Sequence, residues 1–409
     1  MKNRWLIALA AIGIQISIGS IYAWSMLNAP LLAHWEMDSQ HLSRITWTFT
    51  ISVFFYGFSS AFLGKYVQQM GPKKAGQLAA LLFGLGMLGT GMAIQMKWLW
   101  GLYIFYGAIG GTGVSIGYIA PVATLVKWFP DKRGFATGLA IMGFGFASFI
   151  ASYFMAFLLN IEAIGLEGLF YVLGLGYGGI ILLSANYLAP PPKDYHPDSK
   201  RGPQEQEQGQ KAMAELSAKA VLKTPHFYVL WLMLFIIITA GIGVISVAKD
   251  MAAIRMSAMA ATSTVAIMGI FNGLGRIAWS SFSDLIGRPL TWVLFFAIQT
   301  PLFFLLPQLQ HPFLFQMAVF LIMTCYGGSL ASIPAYLSDR FGSKELATIH
   351  GYILTTLALA ALTGVPLTSW IYDQTNSFDA TMRIFGLALA ITSLLSVLML
   401  VQMKKMKQA

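Results

Sequence analysis

Charge, more than any other property, divides this chain. Twelve stretches of about 20 residues are almost free of Asp, Glu, Lys and Arg, and a helix of that length crosses the roughly 30 Å hydrocarbon layer of a bilayer. They lie near Trp5–Leu27, Ile45–Leu63, Ala75–Gln95, Trp98–Val126, Phe135–Leu159 and Gly168–Leu188, then near Phe227–Ala248, Ala260–Phe282, Thr291–Leu306, Pro312–Leu337, Ala347–Ile371 and Met382–Val401. Apolar residues run continuously through them instead of alternating, which excludes a β-barrel. With 57% hydrophobic residues and 10% charged, the chain has too little charge to screen its apolar mass from water. The fold class expected is all-α and integral to a membrane. A single cysteine, Cys325, can form neither an internal disulfide nor a multi-cysteine metal site. The first stretch follows Lys2 and Arg4 as a signal sequence would, but it is too long for one and counts as a span.

The net charge of +10 belongs to topology before it belongs to a partner. Arg44, Lys97, Lys249, Arg255 and Arg383 fall on the side of the odd-numbered connections; the other Lys and Arg residues, Arg276 apart, share the opposite side with both termini. Basic residues mark the cytoplasmic face, so both ends are expected there and nucleic acid is not an expected partner. The longest connection, from Ala189 to Pro225, holds Pro190–Pro192 and Glu205–Gln208 and ends in Lys211–Lys223, which reads as a short surface helix. It divides the chain into a bundle of residues 1–188, a linker of 189–225 and a bundle of 226–409.

The two halves repeat. GKYVQQMGPKK (Gly64–Lys74) follows the second span and SSFSDLIGRP (Ser280–Pro289) the eighth, which sets Gly71 and Gly287 216 positions apart. APVATLVKWFPDKRGFATG (Ala120–Gly138) and IPAYLSDRFGSKELATIHG (Ile333–Gly351) follow the fourth and tenth, with Pro121/Pro334 and Gly138/Gly351 both 213 apart. Two motifs at nearly one offset mean that the second half copies the first in parallel orientation. Two parallel six-helix repeats describe the major facilitator architecture, whose substrate site lies between the halves near mid-depth.

The loop after the second span resembles that superfamily's G-x-x-x-D-x-x-G-[RK] motif, with Gln68 where Asp is usual; the second copy keeps Asp284, Gly287 and Arg288. More closely, the chain resembles the oxalate–formate antiporter family, and within it the lactate and pyruvate carriers. The similarity runs through SIYAWS (Ser20–Ser25), Gly117–Gly138, GLGR (Gly273–Arg276) and Tyr326–Gly342. The resemblance implies a multi-pass protein of the cytoplasmic membrane, expected as a monomer, that carries a small organic anion with no cofactor or metal.

Among the charged residues only Arg276 lies well inside a span, eight residues from Asp284 or about 12 Å along a helix. A guanidinium at such depth costs roughly 2.5–3.5 kcal/mol on insertion scales. It either snorkels to the interface, a stretch at this distance, or waits for a carboxylate that it can hold through two parallel N–H···O bonds. The second reading is preferred. Asn272 is one turn away on the same helical face, and the resemblance places it beside the arginine. The resemblance also assigns the aromatic lining to Tyr118 and Tyr326, while Tyr22 and Trp24 of the first span remain candidates. A monoanion would leave the site neutral, whereas a dianion would leave one charge unpaired. The family's oxalate exchangers have a lysine in the eleventh span, at the place of Leu357 here, and this chain has none there. Lactate, pyruvate, formate or a similar monocarboxylate is therefore expected before oxalate. No Asp or Glu stands mid-span to carry a proton, and His350, near the start of the eleventh span, reads as an interface or capping group before a relay. Proton symport is expected, with anion exchange or a non-transporting sensor as the alternatives.

Gly71, Asp284, Gly287, Arg288, Lys127, Asp131 and Arg133 are expected to form the cytoplasmic gate. Gly107/Gly111 and Gly113/Gly117 read as small-residue helix contacts, not as a nucleotide loop, because the terminal Gly-Lys-Ser/Thr is missing. No nucleophile–base pair, carboxylate dyad or His/Cys cluster at depth suggests an enzyme.

Overall fold

The computed structural model describes residues 2–37, 42–192, 195, 215–375 and 377–408. Most of the linker, including Glu205–Gln208 and Lys211, lies outside the described residues. The rest is helical, with no strand among the described residues. In chain order the helices are α1 (Arg4–Gly19), a 3-10 continuation (Ser20–Leu27), α2 (Asn28–His34), α3 (Leu42–Gln95), α4 (Leu99–Leu102) running through a π-helical segment (Tyr103–Gly110) into α5 (Gly111–Trp128), α6 (Arg133–Leu159) and α7 (Gly165–Tyr187). The second half follows with α8 (Ala218–Val221), α9 (Pro225–Ala253), α10 (Ala258–Ile286), α11 (Arg288–Leu305), α12 (Pro312–Phe341), α13 (Leu346–Ile353), α14 (Thr355–Thr375) and α15 (Asp379–Gln408). The surface helix expected over Lys211–Lys223 is, within the described part, the single turn α8.

Among the described residues ten helices are long and apolar enough to cross a membrane. One of them, Arg44–Gln95, is 52 residues long and breaks at Gly71 (φ 76°, ψ 166°). Helix α10 is not among the ten; it carries Asn272, Arg276 and several serines along its 29 residues, which dilute its hydropathy.

The internal repeat is visible in the backbone. Gly71 and Gly287 adopt nearly the same left-handed conformation, Gly287 with φ 89° and ψ 148°. A Cβ at either would meet nothing within 4 Å, so glycine is required there by the dihedral alone. Pro72 and Pro289 follow, where the fixed ring starts the next helix without losing a needed N–H.

Helices α1, α3, α5, α6 and α7 pack on one another, as do α9 to α12, α14 and α15, and the halves meet along two seams. In the first, α6 lies on α10 with glycines at the crossing. A Cβ on Gly145 would come 2.5 Å from the Gly273 Cα, and one on Gly138 2.7 Å from the Arg276 carbonyl oxygen. In the second, α3 lies on α13 and α14, where Gly57 abuts Ala358 and Gly351 abuts the Ser60 carbonyl. The glycines of the fourth expected span do the packing work foreseen for them: a Cβ on Gly107 would meet Ile51 Cγ2 at 2.7 Å and one on Gly113 would meet Phe83 N at 2.7 Å.

Candidate functional site

Arg276 stands where the α6–α10 seam passes α12, and it is 1% exposed. The close glycine crossing is what lets it sit there, since Gly145 and Gly327 each leave room beside its methylene stem. Its Nε donates to Asn272 Oδ1 at 3.1 Å, one turn back along α10. The guanidinium lies 5.5 Å from the Phe144 ring centroid, a favourable cation–π contact. Nη2 has no hydrogen-bond partner, and no acidic residue pairs with Arg276 among the described residues. A buried cation is expected to be paired; this one has an amide, a ring face and a free N–H edge. Snorkelling is set aside by its burial.

Aromatic rings from four helices and the 3-10 segment gather around the guanidinium. Phe144 is the hub, with ring centroids 5.2 Å from Tyr22, 5.7 Å from Tyr118 and 6.0 Å from Tyr56. Tyr118 lies 5.3 Å from Tyr56 and 5.6 Å from the His350 ring. The Tyr22 hydroxyl approaches that of Tyr326, and Tyr326 is locked against Gly241 of α9. The hydroxyls of Tyr118 and Tyr326 are buried with no well-formed hydrogen bond. The hydroxyls of Tyr118 and Tyr326, each beside a second tyrosine hydroxyl (Tyr56 and Tyr22), and one free guanidinium edge thus gather in one apolar-walled region, a donor set that suits a small carboxylate.

Of the residues singled out from the sequence, Arg276, Asn272, Tyr118, Tyr326 and Tyr22 are brought together. Trp24 is buried elsewhere: its ring stacks 4.3 Å from Tyr106 and 6.5 Å from Phe170, inside the first half. Tyr56 and Phe144 join the cluster without having been foreseen, since an aromatic within an apolar run carries no mark of which way it faces. His350 differs from its expected interface role. It is 0% exposed and neither ring nitrogen has a partner.

At the end of the bundle where the repeated loops lie, a polar network joins the halves. Asp284 accepts the Gly134 and Phe135 N–H groups at 2.9 and 2.8 Å, a carboxylate at the positive N-terminus of α6. Arg288 pairs with Asp284 four residues back, binds the Ser283 hydroxyl and donates through Nε to Asp339 at 2.9 Å. Arg133 reaches the same Asp339 at 2.9 Å from the first half. On the other seam Gln68 donates to the Lys344 carbonyl at 2.7 Å and accepts from Thr348 at 3.4 Å, so the amide that replaces the usual aspartate still bridges the halves. Asp131 pairs with Arg4 at 3.3 Å within the first half, and Lys127 lines a cleft with Gln68, Gly71 and Pro190. Asp339 is the centre of this network; its place near the end of α12 was visible in the sequence, its two arginine partners were not. Among the described residues no group of His, Cys, Asp and Glu is arranged to hold a metal.

Comparison with known proteins agrees with this architecture. The chain is 26% identical over 366 residues to an Escherichia coli K12 protein described as an uncharacterized MFS-type transporter, YhjX, covering 88% of this chain and 86% of the other. It is 27% identical over 377 residues to the oxalate:formate antiporter of Oxalobacter formigenes, covering 89% and 84%. It is 22% identical over 484 aligned positions to the apicoplast pyruvate carrier 1 of Toxoplasma gondii, covering 96% and 88%. Among solved structures, the human organic anion transporter MFSD10 superposes with TM-score 0.74 at 12% identity, covering 97% of this chain and 100% of that one. The transporter FucP in its outward conformation superposes with TM-score 0.70 at 14% identity, covering 96% and 98%. These structural likenesses speak to the fold alone. The sequence model described as Major Facilitator Superfamily matches residues 11–356, and the chain belongs to that superfamily.

Proposed function

We propose that this protein is a secondary active transporter that moves a small monocarboxylate such as lactate, pyruvate or formate across the cytoplasmic membrane by alternating access. The observation that carries the reading is the free edge of a fully buried Arg276. Desolvating a charge without a partner is costly, and a substrate carboxylate would complete the pair through two parallel N–H···O bonds. Asn272 fixes the rotamer of the guanidinium by holding Nε, and Tyr118 and Tyr326 offer hydroxyls to the carboxylate or to a neighbouring oxygen. Arg276 alone pairs a monoanion fully, whereas a dianion needs a second fixed cation; Leu357 is buried and apolar, so none comes from that position, which favours a monocarboxylate over oxalate. The relatives described as an oxalate:formate antiporter and a pyruvate carrier support a carboxylate substrate.

In this reading the membrane unit has twelve spans: the ten apolar helices, with Arg44–Gln95 counted twice about Gly71 and α10 added. Residues 1–188 and 226–409 form the two bundles, both termini are cytoplasmic, and the carrier acts as a monomer. Lys2 supports the placement of the N-terminus, since its Nζ donates to the Tyr187 carbonyl at the end of α7 at 2.8 Å. The network of Asp284, Arg288, Asp339, Arg133 and Gln68 is then the closed cytoplasmic gate. A potential negative inside opposes anion entry by about 2.3 kcal/mol per charge per 100 mV, so uptake needs a proton or a counter-anion, and the coupling proposed is proton symport. Uptake of labelled lactate, pyruvate, formate and oxalate into proteoliposomes, with and without a pH gradient, tests the proposal. Monocarboxylate uptake stimulated by an acidic exterior is expected. Saturable binding of monocarboxylates with no transport of any would instead describe a sensor.

A further inference from the structure

His350 is a buried titratable group beside the anion site that the site leaves unused. It lies one turn inside the start of the apolar helix Leu346–Tyr372, is 0% exposed, and has neither ring nitrogen hydrogen-bonded. A neutral imidazole has one donor and one acceptor, and both are normally satisfied when buried. The groups around it are specific. From α5, Tyr118 lies in ring contact at 5.6 Å; Tyr56 of α3 is 5.3 Å behind Tyr118, and their two hydroxyls approach each other. Arg276 stands across Phe144, which both it and Tyr118 touch. The charged groups of the other packed elements are engaged or distant. On α12, Asp339 is held by Arg133 and Arg288, and Arg340 faces His226. Glu345, just before α13, accepts the Ala218 N–H at 2.8 Å. Lys127 of α5 is at the cleft near Gly71, and Lys219 of α8 is exposed.

We propose that His350 holds the proton that travels with the anion, its protonation linked through the Tyr118 edge of the site to occupancy of Arg276. The inference rests on the reading of Arg276 as the carboxylate's partner. With Arg276 bare, a second positive charge in the same low-dielectric enclosure is repelled. Once a carboxylate neutralises the guanidinium, that repulsion is lifted and the imidazole can accept a proton from the side to which the site is open. By linkage, the proton then tightens the hold on the anion by the same factor. The anion and the proton cross together, so the net charge moved is zero, and release of either weakens the other. No bond is made or broken except N–H at the imidazole, which gains the proton on one side and gives it up on the other.

The test measures proton uptake on binding. Calorimetric titration of the detergent-solubilised wild-type protein with L-lactate, in two buffers of different ionisation enthalpy, is expected to show about one proton taken up per lactate bound. In proteoliposomes an inward gradient of about one pH unit is expected to drive about tenfold accumulation. His350→Gln and His350→Asn are each expected to bind lactate more weakly, to take up almost no proton, and to lose gradient-driven accumulation. Two substitutions guard against one that misfolds, and an absence of proton uptake in the wild type overturns the proposal by itself. Lactate binding without proton uptake in the wild type, or full proton uptake in either folded variant, would overturn the role of His350 while leaving Arg276 as the anion site. If the wild type binds none of lactate, pyruvate or formate, the carboxylate reading falls and the proton proposal with it.

Discussion

Arg276 can be isolated from its neighbours because its partners are so few. Replacing it with Ala removes both the charge and the paired N–H edge, and a charged hydrogen bond is worth about 1.5–3 kcal/mol, so substrate affinity should fall by roughly 10- to 150-fold. Arg276→Lys keeps the charge but not the planar fork, and an intermediate loss is expected. Tyr118→Phe and Tyr326→Phe each delete one hydroxyl whose neighbour is another tyrosine hydroxyl, with no well-formed hydrogen bond between the two, so fold stability should change by less than about 1 kcal/mol while binding weakens about two- to tenfold for each. Titration calorimetry with lactate reads all four variants. The arginine was legible in the sequence because a lone charge inside an apolar run is conspicuous, and Asn272 followed from helical spacing. Tyr56 and Phe144 were not, because what assigns them to the site is the rotation of α3 and α6 about their axes. Phe144 has Phe146 and Phe149 within two turns of the same helix, and only packing says which of them faces Arg276. The burial of His350 was hidden for a related reason: its distance from the loop suggested an interface, whereas α13 is covered by α3 and α5.

The turns between helices make a sharper test of the repeat than sequence similarity does. Gly71 and Gly287 hold positive φ with extended ψ, and nothing surrounds their Cβ positions. Gly71→Ala and Gly287→Ala should therefore each cost about 1–3 kcal/mol by backbone strain alone, read as a lowered melting temperature in detergent. Gly176 of α7 is equally open but has no positive φ, and Gly176→Ala should leave stability unchanged or raise it by up to about 1 kcal/mol. At this scale most of the fold was legible, since charged clusters punctuate the apolar runs. What escaped were element boundaries that depend on contacts. The turn expected at Gly71 is there, but helix runs up to it on both sides, so the break is one residue wide; α10, read as a span from its scarcity of charge, extends beyond Ala260–Phe282 at both ends.

Across the whole molecule, the closure proposed for the basic end would rest on Asp339 and Asp284, each bonded to groups from both halves. Asp339→Asn removes one carboxylate shared by two arginines and should shift the equilibrium toward opening there. A change of about 1 kcal/mol is roughly fivefold in population. Ser280 is 0% exposed and its carbonyl lies against Gly134 across the α6–α10 seam, so Ser280→Cys reports that opening. The sole natural cysteine, Cys325, is buried, which keeps the background low. Maleimide labelling of Ser280→Cys should accelerate about fivefold when Asp339→Asn is added, and unchanged labelling would show that the network does not hold the gate. The parallel duplication was readable from paired motifs 213 to 216 positions apart. The seams themselves were not, since they depend on which glycines of one half meet those of the other.

One buried guanidinium is proposed to select a small carboxylate for passage between the halves. Counterflow of labelled lactate, pyruvate or formate into proteoliposomes preloaded with the same unlabelled anion measures it most directly. Robust counterflow of at least one of them by the wild-type protein, abolished in Arg276→Ala with the variant still folded, is the predicted result. Counterflow of similar rate in Arg276→Ala would contradict the account, because the charge that organises the site would then be dispensable.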